Sequence, residues 1–210
     1  LMFLENASHN TAAFGWIEVI CGSMFSGKTE ELIRRIKRAQ FAQLNVVMFK
    51  PVMDDRYYQN KVVSHDSTQI DATPVASAKE LFDQAQEYDV VGVDEAQFFD
   101  PLIVQVCNDL ANKGVRVIVA GLDMDYTGKP FGPMPELMAM AEYVTKVHAI
   151  CTRTGQLAHF SFRTSQNDDL VLLGEADNYE PLSRSAFYAA MRHERSKKPQ
   201  EDHLDQDASK

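Results

Sequence analysis

Two short stretches carry residue types that could do chemistry. The first is Gly22-Ser23-Met24-Phe25-Ser26-Gly27-Lys28-Thr29, which fits G-x-x-x-x-G-K-[ST], the phosphate-binding loop. Gly22 and Gly27 let the backbone turn with its N–H groups inward, and the helix start that follows adds a partial positive charge. Lys28 is spaced to reach the β- and γ-phosphates of a nucleotide, and Thr29 to offer its hydroxyl to Mg²⁺. The second stretch is Asp94-Glu95. Asp94 reads as the acid that reaches the Mg²⁺ shell, and Glu95 as a general base for a water or a substrate hydroxyl. Each stretch has a blander reading, a glycine turn before an ordinary helix and a strand end with solvated acids. The pair of acids does not separate an ATPase from a small-molecule kinase.

The flanking elements decide whether these residues can be positioned. Trp16 to Cys21 reads as a short buried strand, and Glu30 to Ala39 as a helix with Leu32, Ile33 and Ile36 at helical spacing. Asn45 to Lys50 is a second strand, stopped by Pro51. Ser77-Ala78-Lys79-Glu80 predicts a capping box opening a helix through about Tyr88. Val90 to Asp94 is a buried strand with its carboxylate at the end where open α/β sheets bind ligands. Asp100-Pro101 predicts a helix start running to Lys113 and stopping at Gly114. Val115 to Ala120 is a strand, Glu136 to Glu142 a short helix, and Val144 to Ile150 a further strand. Apolar strands alternating with helices predict a parallel sheet covered on both faces, an α/β, RecA-like P-loop domain. From Cys151 the pattern changes. Leu157 to Arg163 and Leu170 to Leu173 read as strands of a small β appendage. The expected division is a loose lead-in at 1–14, the P-loop domain at 15–150, a small β domain at 151–192, and a disordered tail at 193–210 that is almost free of apolar residues.

Composition narrows the function classes. A formal net charge of −9 argues against a nucleic-acid partner. No apolar run is long enough to span a bilayer, and residues 1–13 lack the pattern of a secretory signal. Cys21, Cys107 and Cys151 are too few and scattered for a disulfide framework, so a reducing, cytoplasmic setting is expected. An Asn-Lys-x-Asp guanine-reading motif is missing, which disfavours a regulatory GTPase.

With these residues in hand, the chain resembles the cellular-type (type II) thymidine kinases. The blocks that carry the resemblance are the P-loop, Asp54-Asp55-Arg56-Tyr57 followed by Ser64-His65-Asp66, and Asp94-Glu95-Ala96-Gln97-Phe98-Phe99. Gly121-Leu122-Asp123, Lys129-Pro130-Phe131-Gly132, Leu173-Gly174 and Tyr179 continue the series in the family's order from about Ile17 to Phe187. The resemblance implies transfer of the γ-phosphoryl of ATP to the 5′-hydroxyl of thymidine with Mg²⁺, in a homotetramer. It assigns the 5′-hydroxyl proton to Glu95 and the charge on the transferred group to Arg56, a task suited to a fixed guanidinium. Asp54 and Gln97 lie beside the phosphates by the same token. Met24, Leu122, Tyr126, Phe131 and Tyr179 match the walls of a flat apolar slot for the base. Leu170, Val171, Leu172, Leu173 and Gly174 match a substrate-covering lasso loop whose backbone reads it. Thymine presents an N–H between two carbonyl oxygens, which extended backbone complements without a charged side chain.

The chain departs from the family at one place. Many members hold a structural zinc in two C-x-x-C pairs, but here the matching positions are Cys151, Thr154, Ser183 and Ala186. A single thiolate cannot make a tetrahedral zinc site, so no zinc is expected. The segment Gly155 to Asn178 then has two expected states: held by apolar contacts such as those of Phe160, Phe162 and Leu172, or poorly ordered until nucleoside or product binds, the second being the prediction. The competing functions are a RecA-like P-loop ATPase and a nucleotide-binding regulator without turnover. Length and acidity disfavour the first, and the full set Lys28, Thr29, Arg56, Asp94 and Glu95 disfavours the second.

Overall fold

The structure, a computed structural model, describes residues 14–52, 61–63, 69–165 and 178–197. Asp54, Arg56, Leu170 to Gly174, residues 1–13 of the lead-in and the end of the tail lie outside the described residues. The first strand, β1 (Trp16–Cys21), runs into the glycine loop and then helix α1 (Lys28–Phe41). Then come β2 (Val46–Pro51), a short antiparallel pair β3 (Lys61–Val63) and β4 (Gln69–Asp71), β5 (Thr73–Val75) and α2 (Ala78–Ala85). Strand β6 (Val90–Val93), a 3₁₀ turn at Ala96–Phe98, α3 (Leu102–Asn112), β7 (Arg116–Gly121), α4 (Met134–Met140) and β8 (Tyr143–Lys146) complete the larger part.

Six strands form one parallel sheet in the order β5-β2-β6-β7-β1-β8. The central strands β1, β6 and β7 are buried on both faces because both are covered, whereas the edge strand β8 is largely exposed. On one face Ile20, Met48, Ile118 and Ala120 pack against Leu32, Ile33 and Ile36 of α1. On the other, Val19, Phe49, Val91, Val93, Val117 and Val119 meet Leu81, Ile103, Leu110 and Leu137 of α2, α3 and α4. The doubly covered α/β sheet expected from the sequence is therefore present.

One charged group sits inside this layer. Glu18, in the middle of β1, is 1% exposed and accepts from Trp16 Nε1 (2.7 Å), Arg35 Nη1 (2.7 Å) and Arg116 Nε (2.6 Å). Arg35 also donates to Glu31 Oε1 (2.8 Å) and Thr145 Oγ1 (2.9 Å), so the network ties α1 to β1, β7 and β8. Burial would push Glu18 up, but the hydrogen bonds and charges of Arg116, Trp16 and Arg35 hold it below the ordinary carboxylate range.

Several local expectations are corrected. Helix α2 ends at Ala85 rather than Tyr88. Ser77 Oγ does accept from Glu80 N (3.2 Å), but Glu80 Oε2 reaches back to Ala76 N (2.7 Å), one residue earlier than a capping box requires. Pro101 lies just ahead of α3, while Asp100 caps Leu102 N (3.0 Å) and also accepts from Ala78 N (3.0 Å), joining two helix starts. The strand expected over Val144–Ile150 is two strands. β8 belongs to the main sheet, whereas β9 (Ala149–Ile150) turns away to pair with β10 (Leu157–Ala158). Likewise Leu157–Arg163 breaks at His159, and β11 (Phe160–Arg163) pairs antiparallel with β12 (Tyr179–Leu182).

The appendage also carries a helix that the sequence reading misses, α5 (Arg184–Lys197), which runs through His193 into the segment expected to be structureless. Its apolar stripe, Ala186, Phe187 and Ala190, closes a third core with Phe160, Phe162, Ala158 and Leu182. The Phe160 and Phe187 rings stack at 4.4 Å. The expected anchoring by Phe160 and Phe162 is thus part of that core, while Leu172 lies outside the described residues.

Candidate active site

Local backbone geometry builds the phosphate loop first. Gly22 has φ 149° and Gly27 has φ 82°, conformations in which glycine is at ease. At Gly22 a Cβ would also come within 2.2 Å of the Val147 carbonyl oxygen. Gly27 precedes α1, and its carbonyl accepts from Glu31 N (3.0 Å). Ser26 Oγ (2.7 Å) and Lys28 Nζ (2.8 Å) both donate to the Ser23 carbonyl, so the lysine folds back over the loop it follows. Phe25 is the exposed tip, with φ 62°. Met24 N donates to Ser161 Oγ (2.9 Å), which fastens the loop to β11 of the appendage.

Opposite stands the end of β6. Thr29 Oγ1 lies 3.4 Å from Asp94 Oδ2, a long contact that brings the two hard oxygen donors to one place. Asp94 is buried, and its Oδ1 accepts from Glu95 N (3.0 Å). Burial and repulsion by Glu95 push Asp94 up to about 7, against the pull of that N–H, Lys28 and the Thr29 hydroxyl. Burial pushes the Lys28 ammonium down, opposed by the carboxylates of Glu95, Asp94 and Asp123.

Glu95 itself holds a left-handed backbone, φ 52°, uncommon for a residue with a side chain. Gln97 holds its carboxylate: Nε2 donates to Glu95 Oε2 at 2.5 Å, while Oε1 accepts from Leu122 N at 2.9 Å. Gln97 is 3% exposed, and the close approach of two glycines explains why. A Cβ on Gly121 would meet Gln97 Oε1 at 2.8 Å, and one on Gly132 would meet the Gln97 carbonyl oxygen at 2.3 Å.

The other expected wall residues gather on the β7–α4 connection. Asp125 Oδ1 accepts from Thr127 N (2.8 Å) and Lys129 N (3.0 Å), Met124 and Pro130 form an antiparallel bridge, and Phe131 N donates to the Asp123 carbonyl (3.1 Å). This tight loop presents Leu122, Tyr126 and Phe131 from one connection. Phe131 packs edge-on against Phe98 at 5.5 Å. Tyr126 and Tyr179 meet a common partner, Arg163, whose guanidinium lies 3.9 Å over the Tyr126 ring and donates to Tyr179 Oη through Nη2 (2.6 Å). The structure therefore brings Thr29, Asp94, Glu95 and Gln97 together, and links Met24, Tyr126 and Tyr179 through β11. Arg56, Asp54 and Leu170 to Gly174 lie outside the described residues.

Sequence reasoning missed four groups here. Lys50 is the penultimate residue of β2, which pairs with β6, and burial pushes it down while Asp94 opposes the shift. A lysine at the carboxyl end of a sheet strand was a signal for it. Asp123, 6% exposed, pairs with Lys146 Nζ at 2.6 Å. Ser161 and Arg163 are both buried polar residues on β11. Asp123 has a sign in the Gly121-Leu122-Asp123 block, which assigns it no role, whereas for Ser161 and Arg163 only the packing of distant segments gives one.

At the four positions matching the family's zinc ligands, Thr154 Oγ1 lies 3.2 Å from Ser183 Oγ. Burial pushes the Cys151 thiol up, but hydrogen bonds from Thr154 and Ser183 outweigh it and bring the thiol to about 6. Among the described residues no three His, Cys, Asp or Glu side chains cluster as metal ligands. No helix among them is long and apolar enough to cross a membrane.

The family model described as thymidine kinase matches residues 15–187. A thymidine kinase of Bacteroides fragilis (strain YCH46) is 58% identical over 197 residues, 94% of this chain and 99% of its own length. One from Rhodothermus sp. (strain ITI 518) is 59% identical over 173 residues, covering 82% and 81%. One from Porphyromonas gingivalis (strain W83) is 53% identical over 184 residues, covering 88% and 90%. Among solved structures, the chain is similar to the genome packaging NTPase B204 of Sulfolobus turreted icosahedral virus 2, with TM-score 0.43 and 15% identity over 64% of this chain and 74% of that one.

Proposed function

The chain belongs to the thymidine kinase family, and on that premise we propose how its residues divide the work. The reaction is transfer of the γ-phosphoryl group of ATP to the 5′-hydroxyl of thymidine, giving thymidine monophosphate and ADP. The observation that carries the assignment is Glu95 at the end of β6, held by Gln97 and facing the charge of Lys28.

The loop from Gly22 to Thr29 cradles the phosphates through its inward N–H groups, and Lys28 leaves the Ser23 carbonyl to meet them. Thr29 and Asp94 would hold Mg²⁺: both are hard oxygen donors, the class that suits it, and they stand 3.4 Å apart. When bound, that ion offsets charge on the phosphate oxygens. Glu95 accepts the proton of the 5′-hydroxyl as its oxygen attacks phosphorus. The amide of Gln97 keeps the carboxylate aimed while the charge is absorbed. Arg56, by the resemblance, stabilises the transferred group, with Asp54 beside it. Met24, Leu122, Tyr126, Phe131 and Tyr179 wall the nucleoside slot, and Leu170 to Gly174 read the base. The donor set at Cys151, Thr154, Ser183 and Ala186 does not suit zinc, and a hydrogen bond between Thr154 and Ser183 joins two of those positions instead. A homotetramer follows from the resemblance. A cytoplasmic site of action without a nucleic-acid partner accords with three scattered cysteines and a net charge of −9.

A coupled ADP-release assay with and without thymidine tests the reading. Thymidine-dependent release is expected. Release independent of nucleoside would mean an ATPase, and tight ATP binding with no release would mean a regulator.

A further inference from the structure

We propose that Arg163 is a positioning residue for the nucleoside: it sets the spacing of Tyr126 and Tyr179 and so the fit of the base. The proposal rests on the assignment of those two tyrosines to the nucleoside slot. They come from different parts of the molecule. Tyr126 sits on the β7–α4 connection of the main sheet, and Tyr179 begins β12 of the appendage. Arg163 joins them. Its guanidinium carbon lies 3.9 Å from the Tyr126 ring centre, and Nη2 (2.6 Å) and Nε (3.2 Å) both donate to Tyr179 Oη. The residue is 3% exposed, so water does not weaken these contacts.

The strand explains the placement. Arg163 stands directly opposite Tyr179 in the β11–β12 register, and Thr164 N donates to Asn178 O (2.9 Å) just beyond. Side chains alternate along a strand, so Ser161 and Arg163 share a face while Phe160 and Phe162 enter the appendage core. Ser161 Oγ accepts from Met24 N on that shared face. One side of β11 thus touches three of the five proposed wall residues. With the guanidinium against one face of the Tyr126 ring, a flat base is left its other face and its edge. Lysine could not replace this arrangement, because a point charge neither stacks on a ring nor forks two donors onto one phenol oxygen.

The test compares KM for thymidine, KM for ATP and kcat in Arg163→Lys, Tyr179→Phe and the double variant, with Tyr126→Ala and Tyr179→Ala as controls. Arg163→Lys is expected to raise the thymidine KM about tenfold or more, with ATP KM and kcat within about twofold of the parent. Tyr179→Phe, which loses only the phenol oxygen, should show a smaller rise of the same kind, and the double variant should fall short of the product of the two. A thymidine KM unchanged in Arg163→Lys, or a fall in kcat and a rise in both KM values together, overturns the proposal while the alanine controls keep the slot assignment. Alanine controls that leave the thymidine KM unchanged overturn the slot assignment itself. If Arg163→Lys does not fold, Tyr179→Phe decides: no rise in its thymidine KM overturns the proposal.

Discussion

Replacing Glu95 by glutamine removes one proton acceptor and one negative charge with almost no change of shape. The side chain keeps its length and branching, and its carbonyl oxygen can still accept from Gln97 Nε2, which now donates to Glu95 Oε2 at 2.5 Å. The left-handed backbone at φ 52° is unchanged, because the two residues meet the same steric cost there. What goes is the base, worth about 10²–10⁴ in turnover. At about 1.36 kcal/mol per decade that is roughly 2.7–5.4 kcal/mol of barrier. A second effect has the opposite sign. Repulsion by Glu95 is one of the two causes that push Asp94 up to about 7. Without that charge Asp94 ionises more readily, so its carboxylate persists to lower pH. Nucleotide binding in the presence of Mg²⁺ should then hold at pH 6 at least as well as in the parent. Turnover is read by coupled ADP release at saturating thymidine, and ATP affinity by titration calorimetry at pH 6 and 8. A kcat within about threefold of the parent would refute the base assignment. A loss of ATP affinity as large as the loss of turnover would make Glu95 a structural residue.

Other variants probe the supports. Gln97→Leu keeps the volume but removes both amide contacts, so kcat should fall about tenfold or more with ATP affinity nearly unchanged, measured in the same two assays. Gly132→Ala puts a Cβ 2.3 Å from the Gln97 carbonyl oxygen at a φ of 51°, and should lower both kcat and the melting temperature, seen by thermal unfolding. Glu18→Gln removes the carboxylate that buried Arg35 and Arg116 share, with Arg35 keeping Glu31, and should cost about 3–5 kcal/mol in denaturant unfolding. In the parent, Glu18 is held below the ordinary carboxylate range. Its contribution is whole above that range and is lost as pH falls through the depressed value. The gap between parent and Glu18→Gln should narrow on acidification.

What the sequence determined by itself was local. The glycine loop, the helix behind it and the acids at the end of β6 are legible because each depends on residues a few places apart: backbone freedom at Gly22 and Gly27, an apolar run, a carboxylate where the run stops. Continuous apolar strands also told of a sheet covered twice. The helix α5 was missed although Ala186, Phe187 and Ala190 have helical spacing, because its outer face is charged and reads like the solvated tail beyond. The rest required the tertiary structure, since its partners are far apart in the chain. Glu18 finds Arg116 across 98 positions, Gln97 finds Leu122 across 25, and Met24 finds Ser161 across 137. No periodicity encodes such pairs. They exist because a buried polar group must find a partner within hydrogen-bond reach, and only the packed sheet and appendage decide which one is there.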